Sequence, residues 1–475
     1  MALNVSFLQE LLNTVAEQGR SLLPKGLFGQ AGEETVEELA HALVSGRGEA
    51  SGVAIARQLL TLYGDLDAQD RAKFFHFLAG TMAPDPVDIA AAAEAYLSAP
   101  TALALSQLQA RVESPRREFF RRLNLAPGAT AGIVGMRHDL AAVPDPDGKL
   151  KAVDADLRAL LKTWFNRGFL VLKRIDWQTP AAILEKIIAY EAVHEIKGWE
   201  DLRRRLDPRD RRCFAFFHPS LIDEPLIFVE VALINEIPLA IAPLISASRT
   251  IAVGSDPTTA VFYSISNCQE GLKGISFGNF LLKQVVEDLV REKPSLTSFV
   301  TLSPVPQFAR WLDRAMAGSA TGADPSPITE ADRTHLAALS DLHWPRDEAK
   351  RASLQPTLMA LAAHYLMKAK SADDRPVDPV ARFHLGNGAR LERVNWLGDT
   401  SEKGLREAHG LMVNYLYDLK DIEKNHEAYA EDGVVAASKA AKALLRPVAA
   451  AKPSTAAKAI LALPAVTGRR SQSPH

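Results

Sequence analysis

Cysteine is nearly missing from this 475-residue chain, which carries only Cys213 and Cys268. Two thiols do not make a disulfide scaffold, and a reducing cytoplasm suits them. No cluster of histidines lies near either, so a structural zinc site is not indicated. An excess of charge is missing as well: 55 Lys+Arg stand against 57 Asp+Glu, a formal net charge of -2. Nucleic-acid binders normally carry a basic excess, so the balance gives that class no support. A local basic patch around a phosphate-bearing ligand stays compatible with it. There is no long hydrophobic run either. The most apolar region, Val229 to Ile245, is interrupted by Glu230, Asn235, Glu236, Pro238 and Pro243, so no membrane span is expected. The opening Met1-Ala2-Leu3-Asn4-Val5-Ser6 lacks the basic start and apolar core of a secretory signal, and Ser473-Pro474-His475 is not a peroxisomal tripeptide. The expected location is the cytoplasm.

What is present is a globular composition, 47% hydrophobic and 24% charged, over a length that suits two or three domains with a sizeable core. The first part reads as helical. Leu8, Leu11, Leu12 and Val15 fall at helical spacing, and Thr35 with Glu38 makes a capping box before Leu39 and Leu43. Asp67 caps a helix carrying Phe74, Phe75 and Leu78, and Ser114-Pro115 starts another with Phe119 and Phe120. A further helix spans about Val153 to Asn166. An all-helical domain over 1–160 follows, with a packing or oligomerising role. The pattern then changes. Phe214–Phe217, Pro225–Ile234, Ala260–Ser266 and Ser298–Leu302 read as strands, with an amphipathic helix over Gly278–Lys293 closing a βαβ-type unit. Helices are expected around His364 and over Leu405–Leu419, and Val380–Leu385 reads as a strand. A second domain spans 161–446. The Ala/Pro/Lys-rich remainder, 447–475, has little to bury and is expected to be disordered.

Three places hold residues suited to chemistry. The loop Lys273-Gly274-Ile275-Ser276-Phe277-Gly278-Asn279 lies between a strand and a helix start. Unpaired N–H groups, the helix dipole and close backbone approach at glycine make such a loop a possible pyrophosphate cradle, with Lys273 adding charge. On spacing alone, a plain Gly-containing turn before a helix is the favoured account. Ser303 lies just past a strand in a loop stiffened by Pro304 and Pro306, where a serine is usually a cap or turn residue. His384 suits proton transfer near neutral pH, although a lone histidine on a strand is more often structural. The same holds for His218.

Four ordered segments narrow these choices. FYSISNCQEGLKGISFGNFLLKQVV, TLSPVPQF, PVARFHLGNGARLERVNW and GLMVNYLYDL together resemble the catalytic domain of malonyl-CoA decarboxylases, and HPSLIDEPLIFVEVAL is similar to the segment upstream. The likeness covers roughly residues 210–310 and 375–440. It implies an α+β architecture: a helical N-terminal domain, then an α/β catalytic domain of the GNAT acyltransferase type around a mixed central sheet. Lys273, Gly274 and Gly278 fall where that fold grips the CoA pyrophosphate, with Ser276 in place of its middle glycine. The family's catalytic serine maps onto Ser303, its catalytic histidine onto His384 and a tyrosine near its site onto Tyr417.

The chemistry so implied turns malonyl-CoA into acetyl-CoA and carbon dioxide, with no metal or other cofactor because the thioester itself accepts the electrons. His384 is expected to donate a proton, while Ser303 either accepts one or orients the carboxylate. The resemblance also implies a homotetramer assembled with help from the helical domain. The rival readings are a CoA-dependent acyltransferase of the same fold and a non-catalytic CoA-binding scaffold.

Overall fold

The structure is a computed structural model and describes residues 34–45, 48–249, 256–275, 281–318, 328–341 and 343–446. The expected helix at Leu8–Val15 and the tail beyond Arg446 lie outside these residues. The described residues begin with eight helices: α1 (Val36–Val44), α2 (Glu49–Asp65), α3 (Ala68–Gly80), α4 (Pro86–Ser98), α5 (Ala102–Val112), α6 (Pro115–Leu123), α7 (Ala129–Ala142) and α8 (Lys151–Trp164). Their starts follow the expected caps. Thr35 and Glu38 satisfy each other's backbone N–H groups at 2.9 and 3.2 Å, and Asp67 accepts from the Asp70 N–H at 2.8 Å. Phe74, Phe75, Phe119 and Phe120 are fully buried and meet edge-on or tilted, with Phe119 and Phe120 centroids 5.0 Å apart. The α4–α5 hairpin differs from the rest, because neither of its helices buries a single residue.

The second part is built on one mixed sheet of eight strands. These are β1 (Val171–Ile175), β2 (Arg211–Phe217), β3 (Pro225–Ile234), β4 (Thr259–Asn267), β5 (Ser298–Thr301), β6 (Ser303–Pro304), β7 (Arg390–Asn395) and β8 (Met412–Leu416). The order is β1-β2-β3-β4-β5-β8-β6, with β7 also paired to β8. Among the strands of the described residues, β4 and β5 are the one parallel pair, and the helix Leu281–Glu292 (α9) crosses between them. This is the expected βαβ unit inside the expected α+β fold. The β4–β5 ladder stops at Phe262↔Thr301, while β4 continues to Asn267. Past that point the chain leaves β4, and Ser303 pairs with Val413 of β8. The site described below lies at this divergence. No helix among the described residues is long and apolar enough to cross a membrane.

Two expectations are corrected. Val380–Leu385 is not a strand but part of a helix, Pro379–Gly386 (α11), which follows a longer one, Glu348–Met367 (α10). Asp378 accepts from the Ala381 N–H at 2.7 Å and Pro379 occupies the first turn, a start signal that outweighs the Val and Phe content. Nor is Leu405–Leu419 one helix. A helix covers Glu402–Ala408, then His409 (φ 49) and Gly410 (φ 80) turn left-handed and release the chain into β8.

Candidate active site

Ser303, His384 and Tyr417 come from three separate places in the chain and meet in one buried line. Ser303 Oγ lies 3.1 Å from His384 Nε2, and His384 Nδ1 lies 2.8 Å from the Tyr417 hydroxyl. All three side chains are buried. β8 and the residue after it set the tyrosines: Tyr415 lies on the strand and Tyr417 one residue past its end, two apart, so that they share one side of the extended chain. Tyr415 stacks on the His384 ring at 4.5 Å, and the Tyr417 N–H donates to the Phe299 carbonyl at 2.8 Å. α11 sets the histidine, and its N-terminal cap Asp378 is in turn held by the Tyr365 hydroxyl at 3.2 Å. At the other end of α11, His426 holds the Gly386 carbonyl at 2.7 Å.

Counting donors fixes the direction of the line. Ser303 donates its one hydroxyl proton to Thr301 Oγ1 at 2.9 Å, and that oxygen also accepts the Tyr415 N–H at 3.1 Å. Ser303 therefore accepts from His384 Nε2–H, which leaves Nδ1 as acceptor for the Tyr417 hydroxyl. Burial pushes the His384 imidazole down to about 3 and pushes the Tyr417 phenol well up. The line is consequently neutral: a protonated phenol, a neutral imidazole and two hydroxyls. It can pass one proton outward to a strong base in front of the imidazole.

A cleft of about 800 Å³ opens beside this line, with Ile227, Asn267, Lys273, Gly274, Arg382 and Phe383 in its wall. Phe383 precedes His384 on α11, while Ser303 and His384 do not themselves line the cleft. Lys273 and Gly274 are exposed in a turn after a short 3-10 helix, Glu270–Leu272, and Gly274 has φ +76. Ile275 is buried, and Ser276, Phe277, Gly278 and Asn279 lie outside the described residues. The helical part docks on this turn. Arg137 of α7 donates to the carbonyls of Gly271 and Lys273 at 2.7 and 3.0 Å, and a Cβ on Gly271 would meet the Val134 carbonyl oxygen at 2.0 Å. His218 is structural, with Nδ1 accepting from Ser220 at 3.1 Å and Nε2 donating to the Trp164 carbonyl at 3.1 Å.

Sequence reading misses four supports of the line: Thr301, Tyr415, Tyr365 and Asp378. The Asp378-Pro379 pair is a legible signal. The other three are ordinary core residues until the fold aligns them. Among the described residues, no group of three or more His, Cys, Asp or Glu is placed to hold a metal ion.

Comparison with known proteins identifies the family. The malonyl-CoA decarboxylase C-terminal domain matches residues 168–455 and the N-terminal domain of the same family matches residues 82–165. The mitochondrial malonyl-CoA decarboxylase of Anser anser anser is 37% identical over 350 residues, 69% of either chain. That of Mus musculus is 34% identical over 400 residues, 78% of this chain and 81% of its own. Among solved structures, malonyl-CoA decarboxylase from Rhodopseudomonas palustris is 53% identical with a TM-score of 0.82, covering 86% of this chain and 98% of the other. The Agrobacterium vitis protein of that name is 54% identical with a TM-score of 0.80, covering 87% and 100%. The chain belongs to the malonyl-CoA decarboxylase family.

Proposed function

We propose that the protein is a carboxy-lyase that decarboxylates malonyl-CoA to acetyl-CoA and carbon dioxide, with Ser303 and His384 at the reacting end. The observation that carries this reading is the buried neutral line Ser303–His384–Tyr417 in a chain of this family. Loss of the carboxylate as carbon dioxide sends its electron pair into the thioester carbonyl and forms an enolate. That enolate is a strong base, so a neutral imidazole is a sufficient acid. His384 gives its Nε2 proton to C2 as Tyr417 gives its proton to Nδ1; a proton from solvent then returns to Nε2 and the Nδ1 proton returns to the tyrosine. Ser303 turns from Thr301 toward the malonyl carboxylate and orients it; it is not required to accept a proton. A positioned acid contributes roughly 10²–10⁴-fold. Binding of the remote nucleotide by the 273–279 loop offsets the cost of holding the carboxylate out of the thioester plane.

The thioester is its own electron sink, so the reaction needs no metal, biotin or pyridoxal. The remaining assignments belong to the same proposal. Residues 161–446 form the catalytic domain, and the helical 1–160 domain assembles the chain into a homotetramer. The α4–α5 hairpin supports that assembly, since it exposes Val87, Leu97 and Leu103 at 74%, 80% and 69%. The two cysteines are buried and free, which suits the cytoplasm. The test is the full-length protein with malonyl-CoA in excess EDTA. Acetyl-CoA and carbon dioxide in equal amounts are expected. Turnover only after a divalent ion is restored overturns the cofactor-free scheme. No acetyl-CoA under any condition overturns the decarboxylase reading in favour of acyl transfer or plain CoA binding.

A further inference from the structure

A second cavity, of about 620 Å³, lies on the far side of the same turn, between it and helices α7 and α8. Its size is within the range of small-ligand sites, roughly 300–1,000 Å³. Lys273, Gly274 and Glu270 line both this cavity and the cleft beside α11, so the two spaces meet at the turn. Four cationic side chains converge here from the two halves of the chain: Arg137 from α7, Lys151 and Arg158 from α8, and Lys273 from the turn. They are not equally engaged. Arg137 is buried and committed to Asp154 at 2.8 Å and to the turn's carbonyls. Arg158 has only a 3.9 Å approach to the same Asp154, and its guanidinium would stand 3.4 Å from a Cβ on Gly274. Lys151 and Lys273 form no ion pair with any described residue. The cavity also holds an unused acceptor. Asp145 Oδ2 takes the Leu150 N–H at 3.0 Å, while its buried Oδ1 has no hydrogen-bond partner among the described residues.

We propose that this cavity, formed jointly by the helical region and the 270–274 turn, binds the 3′-phosphoadenosine end of CoA, with Lys151 and Arg158 on the 3′-phosphate. The inference rests on the CoA-thioester reading above. A CoA thioester is long, with an apolar arm ending at the acyl group, a pyrophosphate in the middle and a doubly charged phosphate on the far ribose. The two spaces match that order. The acyl arm takes the cleft beside His384, the pyrophosphate the turn, and the dianion the cationic cavity. Asp145 Oδ1 then accepts from a ribose hydroxyl or the adenine amine. The helical region thereby becomes part of the substrate site as well as a packing unit.

The discriminating ligand is 3′-dephospho-CoA, which differs from CoA only in that phosphate. Calorimetry on the full-length protein should find CoA bound at least tenfold more tightly than 3′-dephospho-CoA, the scale of one charge-assisted hydrogen bond. Lys151→Ala and Arg158→Ala should each erase part of that preference, weakening CoA by roughly three- to tenfold while 3′-dephospho-CoA binds as it does to the wild type. Both side chains are exposed, so folding is not at risk. Equal affinity of the wild type for the two ligands, or equal weakening of both in the variants, overturns the subsite. Decarboxylation of malonyl-CoA is measured in parallel. A protein that prefers the 3′-phosphate but releases no carbon dioxide keeps the subsite and loses the decarboxylase reading. One that turns over but binds both ligands alike does the reverse.

Discussion

In the proposed reaction His384 is an acid without a carboxylate behind it; its Nδ1 faces a phenol and its ring lies flat on Tyr415. In the same proposed reaction Ser303 and His384 act on opposite ends of one event, loss of the carboxylate and protonation of C2. Ser303→Ala and His384→Asn are therefore expected to lower kcat by roughly 10²-fold or more each, with malonyl-CoA affinity reduced only modestly. The double variant should fall well short of the product, because residues acting as one unit are non-additive. Turnover of the two single variants and the double decides it, and near-normal kcat in either single variant removes that residue from the mechanism. The buried imidazole also makes a stability prediction. Its folded value, about 3, lies below the ordinary histidine value of 6.5, so the unfolded chain takes up the proton first as pH falls. The stability His384 contributes is thus complete above about pH 6.5 and is lost progressively toward pH 3, at up to about 1.4 kcal/mol per pH unit. Between about pH 8 and 5.5, wild type should lose about 1 kcal/mol more than His384→Asn in denaturant titrations. Equal losses would mean that the imidazole is not held neutral by burial.

At the scale of elements, α11 is the part whose placement matters most, because it carries the proposed acid and its N-terminus is tied down. Asp378 is fully buried and holds both the Ala381 N–H and the Tyr365 hydroxyl. Burial lifts its carboxyl to about 6. Here the sign is opposite to that of His384: the folded value lies above the usual one of 3.8, so this group's contribution is present at low pH and is lost as pH rises through about 6. Asp378→Ala removes a cap and strands a buried hydroxyl, a loss of roughly 2–4 kcal/mol. It should lower kcat as well, through a loosened His384. Asp378→Asn retains an accepting oxygen and should recover most of both, as read by thermal melts and kcat together. A stable Asp378→Ala protein with full turnover would show that the cap does not position the histidine.

For the whole molecule, two predictions concern its edges. If the α4–α5 hairpin carries the assembly, Leu97→Glu with Leu103→Glu should give a smaller species in analytical ultracentrifugation, with circular dichroism and melting unchanged. An unaltered sedimentation coefficient would move the interface elsewhere. At the other end, Arg446 is bound to the body of the protein, its guanidinium 2.6 Å from buried Asp332. A chain ending after Arg446 should keep wild-type stability and activity. One ending before it leaves buried Asp332 with its Thr329 hydrogen bonds but no ion-pair partner and should melt several degrees lower. Identical melts of the two truncations would count against that pairing.

What the sequence determined by itself was local. Caps at Thr35 and Asp67, the β-branched run of β3, and the strand–helix–strand order around α9 all rest on neighbours a few residues away, where propensity and periodicity act. Position and chemistry make Ser303 and His384 candidates among several, and only family resemblance raises them above the rest and adds Tyr417, since neither spacing nor composition distinguishes one serine, histidine or tyrosine. At α11 Val380 and Phe383 suggest a strand, and the legible Asp-Pro cap overrides them. The break at His409–Gly410 is the same kind of case, a local stop signal set against a longer apolar pattern. Only the tertiary structure decided that Thr301 and Tyr415 support the site and that Arg137 grips the turn. The 81 residues between Ser303 and His384, and the 136 between Arg137 and Lys273, are closed by the packing of the sheet and of helices on it. The direction of the proton line was likewise out of the sequence's reach. It depends on burial that keeps the imidazole neutral and on the single proton each hydroxyl has to give.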